Sequence, residues 1–129
     1  MPAKDRDIYT LKIRGSGRTF EVECAVSESA RAQGLSGRPS LPAGRGMFFI
    51  FPSVSRQTMW MPDMNFPLDI VWLNENMEVI HINYAAQPCE TRDRCPLLSS
   101  EGYVKYAIEL GAGQAEAIGV RVGTQLTVV

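Results

Sequence analysis

The sequence predicts a mainly β fold, a compact β-sandwich or a partly closed, jelly-roll-like barrel with two short helices, and three observations carry that prediction. Apolar and polar side chains alternate through residues 9–13 and 20–24, the period of strands with one buried face. Residues 47–51 and 68–73 are apolar at nearly every position, as strands covered on both sides are. Glycine, proline and asparagine divide the rest into short pieces, leaving only the stretches after Ser27 and Gly113 helix-like.

The elements follow in order. Tyr9, Leu11 and Ile13 turn at Gly15-Ser16-Gly17 into Phe20, Val22 and Cys24, which reads as a β-hairpin. Ser27 is a fitting N-cap for a helix through residues 30–33, which Gly34 ends because glycine accepts backbone conformations other residues resist. After a loop over residues 36–46, the strand at 47–51 is expected to stop at Pro52-Ser53. Pro62 and Pro67 cannot donate ladder hydrogen bonds, so 58–73 is expected to be a short strand at 58–61, an irregular crossing, and a buried strand at 68–73. Asn74-Glu75-Asn76 turns the chain into a strand at 78–84, with Ile80, Ile82 and Tyr84 on one face and Val79, His81 and Asn83 on the other. Residues 85–101 read as a long surface loop, 103–110 as a strand, the segment after Gly113 as a helical turn ending at Gly119, and 125–129 as the last strand.

One domain of 129 residues is large enough for its own core. With 13 basic against 14 acidic side chains and a formal charge of -1, it lacks the electrostatic footprint of a nucleic-acid binder. No apolar run approaches the about 18 residues that span a bilayer, and residues 1–7 have no apolar signal-peptide core. The chain reads as soluble, with its localisation open because a removed leader would leave no trace.

Cys89 and Cys95 bracket a polar loop, and their closeness permits a small disulfide ring in an oxidising compartment; the alternative is two reduced thiols on a surface loop. Cys24, in register with Phe20 and Val22, reads as a small buried residue. A Cys₃His zinc set with His81 is disfavoured, since five residues separate the only close cysteine pair against about two to four in a usual knuckle. His81 alone reads as an exposed or partner-bound imidazole. Gly111-Ala112-Gly113 lacks the rest of a phosphate loop and reads as turn punctuation. No cofactor or metal is called for.

The remaining constellation is Arg31, Arg38, Trp60, Met61, Asp69 and Glu109. Asp69 opens an apolar strand, so its carboxylate must be paired, hydrogen-bonded or turned into a pocket. An aromatic wall at Trp60, a thioether at Met61 and a few polar groups compose an ordinary small-molecule cleft, although both could equally fill core. The expected function is therefore binding of a small ligand near Trp60 and Asp69. Two alternatives are a small hydrolase or transferase using Asp69 and Glu109 as acid and base, and a protein-interaction module using the 85–101 loop.

The chain also resembles the family known as domain of unknown function 192, or uncharacterised protein family 0127. The resemblance runs through Arg31-Ala32-Gln33-Gly34-Leu35-Ser36-Gly37-Arg38, Leu41-Pro42, Gly46-Met47-Phe48-Phe49-Ile50-Phe51, Trp60-Met61, Pro67-Leu68-Asp69-Ile70 and Ile108-Glu109-Leu110, with Gly113, Gly119 and Gly123. It spans roughly residues 8–129 and implies a β-rich fold close to a jelly roll, relatives that are often exported, and in some of them a cysteine-bracketed loop like 89–95. It brings no established activity. Where family members commonly read W-M-K-N-T, this chain has Trp60-Met61-Pro62-Asp63-Met64, which removes a lysine, an amide and a hydroxyl and implies a different ligand.

Overall fold

The computed structural model describes residues 2–129. Seven strands and two short α-helices occur in the order β1 (Ile8–Ile13), β2 (Thr19–Ala25), α1 (Glu28–Gln33), β3 (Arg45–Met59), β4 (Leu68–Leu73), β5 (Val79–Ala86), β6 (Leu98–Gly111), α2 (Gln114–Ile118) and β7 (Leu126–Val128). They form one sheet in the order β5-β4-β6-β3-β2-β1-β7. Among the described residues only β2 and β3 run parallel.

The sheet curls until its two edge strands approach. Glu78 bridges Gln125, Leu126 N–H donates to the Met77 carbonyl at 3.0 Å, and Val79 N–H donates to Thr124 at 2.9 Å. The edges meet at this one place, so of the two expected architectures the molecule takes the partly closed barrel.

Local chemistry explains each element that the sequence signalled. The hairpin pairs Leu11 with Phe20, and its turn is closed by the Gly17 N–H on the Ile13 carbonyl at 3.0 Å. Ser27 Oγ accepts from the Ala30 N–H at 3.1 Å and Gly34, at φ 51°, ends α1. Asn74 Oδ1 accepts from the N–H groups of Asn76 and Glu78, forming the side-chain turn into β5.

Apolar side chains lie on both faces of the sheet. One face gathers Leu11, Phe20, Val22, Phe48, Val71 and Ile108 into a core to which every strand contributes. The other gathers Met47, Phe49, Phe51, Ile70 and Trp72 beneath Leu35 and Met61. This is the physical content of the two-sided apolar runs: Phe48 and its neighbours Met47 and Phe49 point to opposite cores. Gly46 is required where β3 meets β6, since a Cβ there would stand 2.6 Å from the Glu109 carbonyl oxygen.

Four expectations are corrected. Pro52 does not end its strand: β3 runs through it for 15 residues, because the pairing with β6 skips from Ile50 to Ser55 and the missing proline N–H falls inside that irregularity. Trp60 and Met61, expected at a strand end, lie just beyond it. In β5 the simple alternation fails, because the pairing passes from Trp72–His81 to Leu73–Val79 and leaves Ile80 as the extra residue. Val79 thereby joins Ile82 in one core, while Ile80 packs against the other. The supposed loop at 85–101 is also shorter than read, since β6 already begins at Leu98.

Candidate functional site

Glu109 sits in β6 between Ile70 of β4 and Met47 of β3, so its side chain rises from the middle of the sheet on the face covered by α1. It is 6% exposed, and its Oε1 is buried without a hydrogen-bond partner among the described residues. Burial pushes the Glu109 carboxyl up to a pKa of about 8. At neutral pH it is mostly a neutral carboxylic acid, with one O–H to donate and a carbonyl oxygen to accept.

What stands over this group is unusually small. A Cβ built on Gly34 would lie 3.4 Å from Glu109 Oε1 and 3.3 Å from the Phe49 ring. Gly34 thus caps α1 and leaves open space above the carboxyl. That space is a cleft of about 160 Å³ between α1 and the end of β3, lined by Arg31, Ser36, Thr58, Trp60, Met64 and Glu109 among others.

Arg31 is held in this wall. Its Nε donates to the Val26 carbonyl at 3.0 Å and its guanidinium lies 5.9 Å from the centre of the Phe51 ring. Trp60, 43% exposed, makes the outer wall, with Arg92 stacked 5.4 Å from its ring centre. Arg92 also pairs with Asp63. The segment that departs from the family's usual residues therefore has its own fastening: Asp63 adopts φ 59°, its carbonyl accepts from Gly37 at 3.0 Å, and the Pro62 carbonyl accepts from Ser36 Oγ at 3.2 Å.

Of the six residues proposed from sequence, Arg31, Trp60 and Glu109 come together and the other three do not. Met61 is 2% exposed and packs in the core, facing a separate hollow of about 300 Å³ under the cysteine loop. Arg38 lies apart from the cleft lining and forms a two-pronged pair with Glu23 at 2.8 and 3.2 Å. Asp69 points through the opposite face of the sheet, since it pairs in register with Leu110 whereas Glu109 pairs with Ile70. Its Oδ1 accepts from Ala85 N–H at 2.9 Å and its Oδ2 from Gly113 and Ala115 at 3.0 and 3.1 Å. The two carboxyls are divided by the sheet and cannot act on one substrate as acid and base. Gly34 and Thr58 belong to the cleft but were missed; the signal for Gly34 was present, read only as a helix stop.

Cys89 and Cys95 are joined in a disulfide with their Cα atoms 5.1 Å apart. The 3-10 turn at Arg92–Arg94 inside this ring supplies the arginine stacked on Trp60. Reducing the bridge is expected to cost about 2 to 3 kcal/mol of stability, read as a lower urea midpoint with a thiol reductant. A Cys89→Ser, Cys95→Ser double variant should show that loss and no further response to reductant. Cys24 is 1% exposed, and burial pushes its thiol up to about 11, so it is an inert packing group.

No curated protein matches the chain. Among solved structures, a Sinorhizobium meliloti 1021 protein provisionally described as a transcription regulator is 29% identical, with a TM-score of 0.86 over 98% of both chains. A protein of unknown function from Novosphingobium aromaticivorans DSM 12444 is 26% identical, with a TM-score of 0.85 over 98% of this chain and 89% of that one. The profile of domain of unknown function 192, described as "Uncharacterized ACR", matches residues 9–128. The chain thus belongs to the domain of unknown function 192 family.

Proposed function

We propose that the protein binds a small amide- or carboxylic-acid-bearing molecule in the cleft between α1 and Trp60, with Glu109 as the anchor at its floor. The observation that carries this reading is the buried, unpartnered Glu109 Oε1. An unpaired polar atom in a dry setting forfeits about 1 to 3 kcal/mol, which a ligand hydrogen bond recovers. A neutral carboxylic acid offers a donor and an acceptor side by side, and amides and carboxylic acids present the complementary pair. Arg31 adds positive charge for an anionic ligand, while Trp60 and Met64 supply apolar walls. The volume, about 160 Å³, is below the about 300 Å³ at the lower end of drug-sized pockets, which favours a ligand of few heavy atoms.

The transcription-regulator description of the Sinorhizobium relative would suggest a nucleic-acid partner. The formal charge of -1 supports the small-ligand reading over it. The Cys89–Cys95 bridge supports residence in an oxidising compartment.

A thermal-shift screen against small amides and carboxylic acids tests the binding role, run on the parent, Trp60→Ala and Glu109→Leu. Trp60 is partly exposed and leucine suits the apolar surroundings of Glu109, so both variants should keep the parent's circular dichroism spectrum. At least one compound is expected to raise the melting temperature of the parent and of neither variant. A screen with no hit on the parent, or equal shifts in all three proteins, would refute the reading.

A further inference from the structure

A second site is suggested by a groove that shares no lining residue with the Glu109 cleft. It lies between the β1–β2 turn and the segment from α2 to β7, encloses about 620 Å³, and is lined by three arginines, Arg14, Arg18 and Arg121, with no acidic residue. All three are exposed, and none forms an ion pair among the described residues, whereas Arg38, Arg45 and Arg92 each hold a carboxylate. Three like charges facing one hollow without a counter-charge repel one another, and a bound anion relieves that repulsion.

The groove has more than charge. Arg18 is held in place by an Nη1 bond to the Ala117 carbonyl at 3.0 Å, which joins the hairpin turn to the end of α2. The backbone N–H groups of Gly15, Ser16 and Val122, in the two turns that frame the groove, donate to no protein acceptor among the described residues. Gly15 and Gly123 hold φ of 101° and 94°, conformations that let these turns pack tightly without side-chain strain. Guanidinium forks together with free backbone N–H groups are the donors that phosphoryl oxygens take up, and Val122, 58% exposed, with Ile118 supplies an apolar wall beside them.

We infer that this groove binds a multiply charged phosphorylated small molecule of about nucleotide size, its phosphoryl groups on Arg14, Arg18 and Arg121 and its less polar part against Ile118 and Val122. A carboxylate monoanion would neutralise only one of the three charges; a diphosphate or triphosphate matches them.

Isothermal titration calorimetry with inorganic pyrophosphate and with adenosine triphosphate, at constant ionic strength in sodium chloride, tests the site. The parent is expected to show saturable binding of one equivalent, tighter for the triphosphate. Arg14→Gln and Arg121→Gln should each weaken it about tenfold, the effect of losing one charge-assisted hydrogen bond. Arg45→Gln, whose side chain pairs with Glu21 outside the groove, should bind as the parent does. Absence of saturable binding at millimolar ligand, or an equal loss in Arg45→Gln, would overturn the inference. A third arm uses a short DNA duplex: displacement of the duplex by pyrophosphate with weaker affinity for the polymer supports the small-molecule site, and binding of the duplex alone overturns it.

Discussion

Asp69→Ala is expected to destabilise the protein by about 3 to 5 kcal/mol, measured as a fall in the free energy of urea unfolding. The carboxylate is 1% exposed and accepts three backbone N–H bonds. Two of them, from Gly113 and Ala115, belong to the first turn of α2, whose N-cap is a glycine with no side chain of its own to offer. The third comes from Ala85, which adopts φ 49° in a stretch of β5 where the pairing with β4 shifts between Leu68 and Ile70. One side chain therefore fastens a helix start on one side of β4 and an irregular strand on the other. Removing it leaves three donors without an acceptor, and alanine offers nothing in return. Asp69→Asn keeps one amide oxygen but turns an NH₂ toward backbone N–H groups, so it should lose part of the same stability. Amide exchange at Ala85, Gly113 and Ala115 should accelerate first. A loss below about 1 kcal/mol would show that water or relaxation replaces the carboxylate and would remove this account.

The second large effect is a dependence of stability on pH with the opposite sign to that of most carboxyl groups. The Glu109 pKa rises from an ordinary 4.5 to about 8 in the folded protein. Between these values the folded chain holds a proton that the unfolded chain has released, so folding grows less favourable as pH increases. The stability associated with this group is fully present below about pH 4.5 and is lost progressively until pH passes about 8. The total is on the order of 3 to 5 kcal/mol. Glu109→Leu abolishes the titration: it should match or exceed the parent near the acid end of the window and exceed it by several kcal/mol above pH 8. Urea unfolding of both proteins across the window checks this, and a difference that stays constant with pH would refute the elevated pKa. A bound ligand that donates to the Glu109 carboxylate would lower the same pKa and flatten the curve.

These two acids show what can be read from a sequence and what cannot. Asp69 opens the apolar stretch Leu68–Leu73, and desolvation argues in advance that it must be paired or placed in a pocket. Glu109 gives no such warning, because alternation along residues 103–110 puts it with Lys105 on the face opposite Val104, Tyr106, Ile108 and Leu110. Asp69 meets backbone donors contributed by residues 85, 113 and 115, and Glu109 meets a glycine 75 positions earlier in the chain. Such partners are fixed by strand order and register, which depend on pairings between distant segments.

Much was nonetheless determined by the sequence itself. The hairpin at Gly15-Ser16-Gly17, the Ser27 cap, the Gly34 stop and the two-sided strands all rest on local rules: period-two alternation, side-chain capping and glycine's conformational range. The family was legible separately, in the motifs that run from Arg31 to Leu110. The errors fall where a local rule met a long-range constraint. Pro52 reads as a stop, but β6 skips it; residues 78–84 read as alternating, but β4 forces an extra residue at Ile80. Tertiary structure alone decided that Glu109 shares a cleft with Arg31 and Trp60 while Asp69 faces the other core. The reason is the two-residue period of a strand: parity in the sequence separates the faces of one strand, but only cross-strand register tells which face of β4 continues which face of β6.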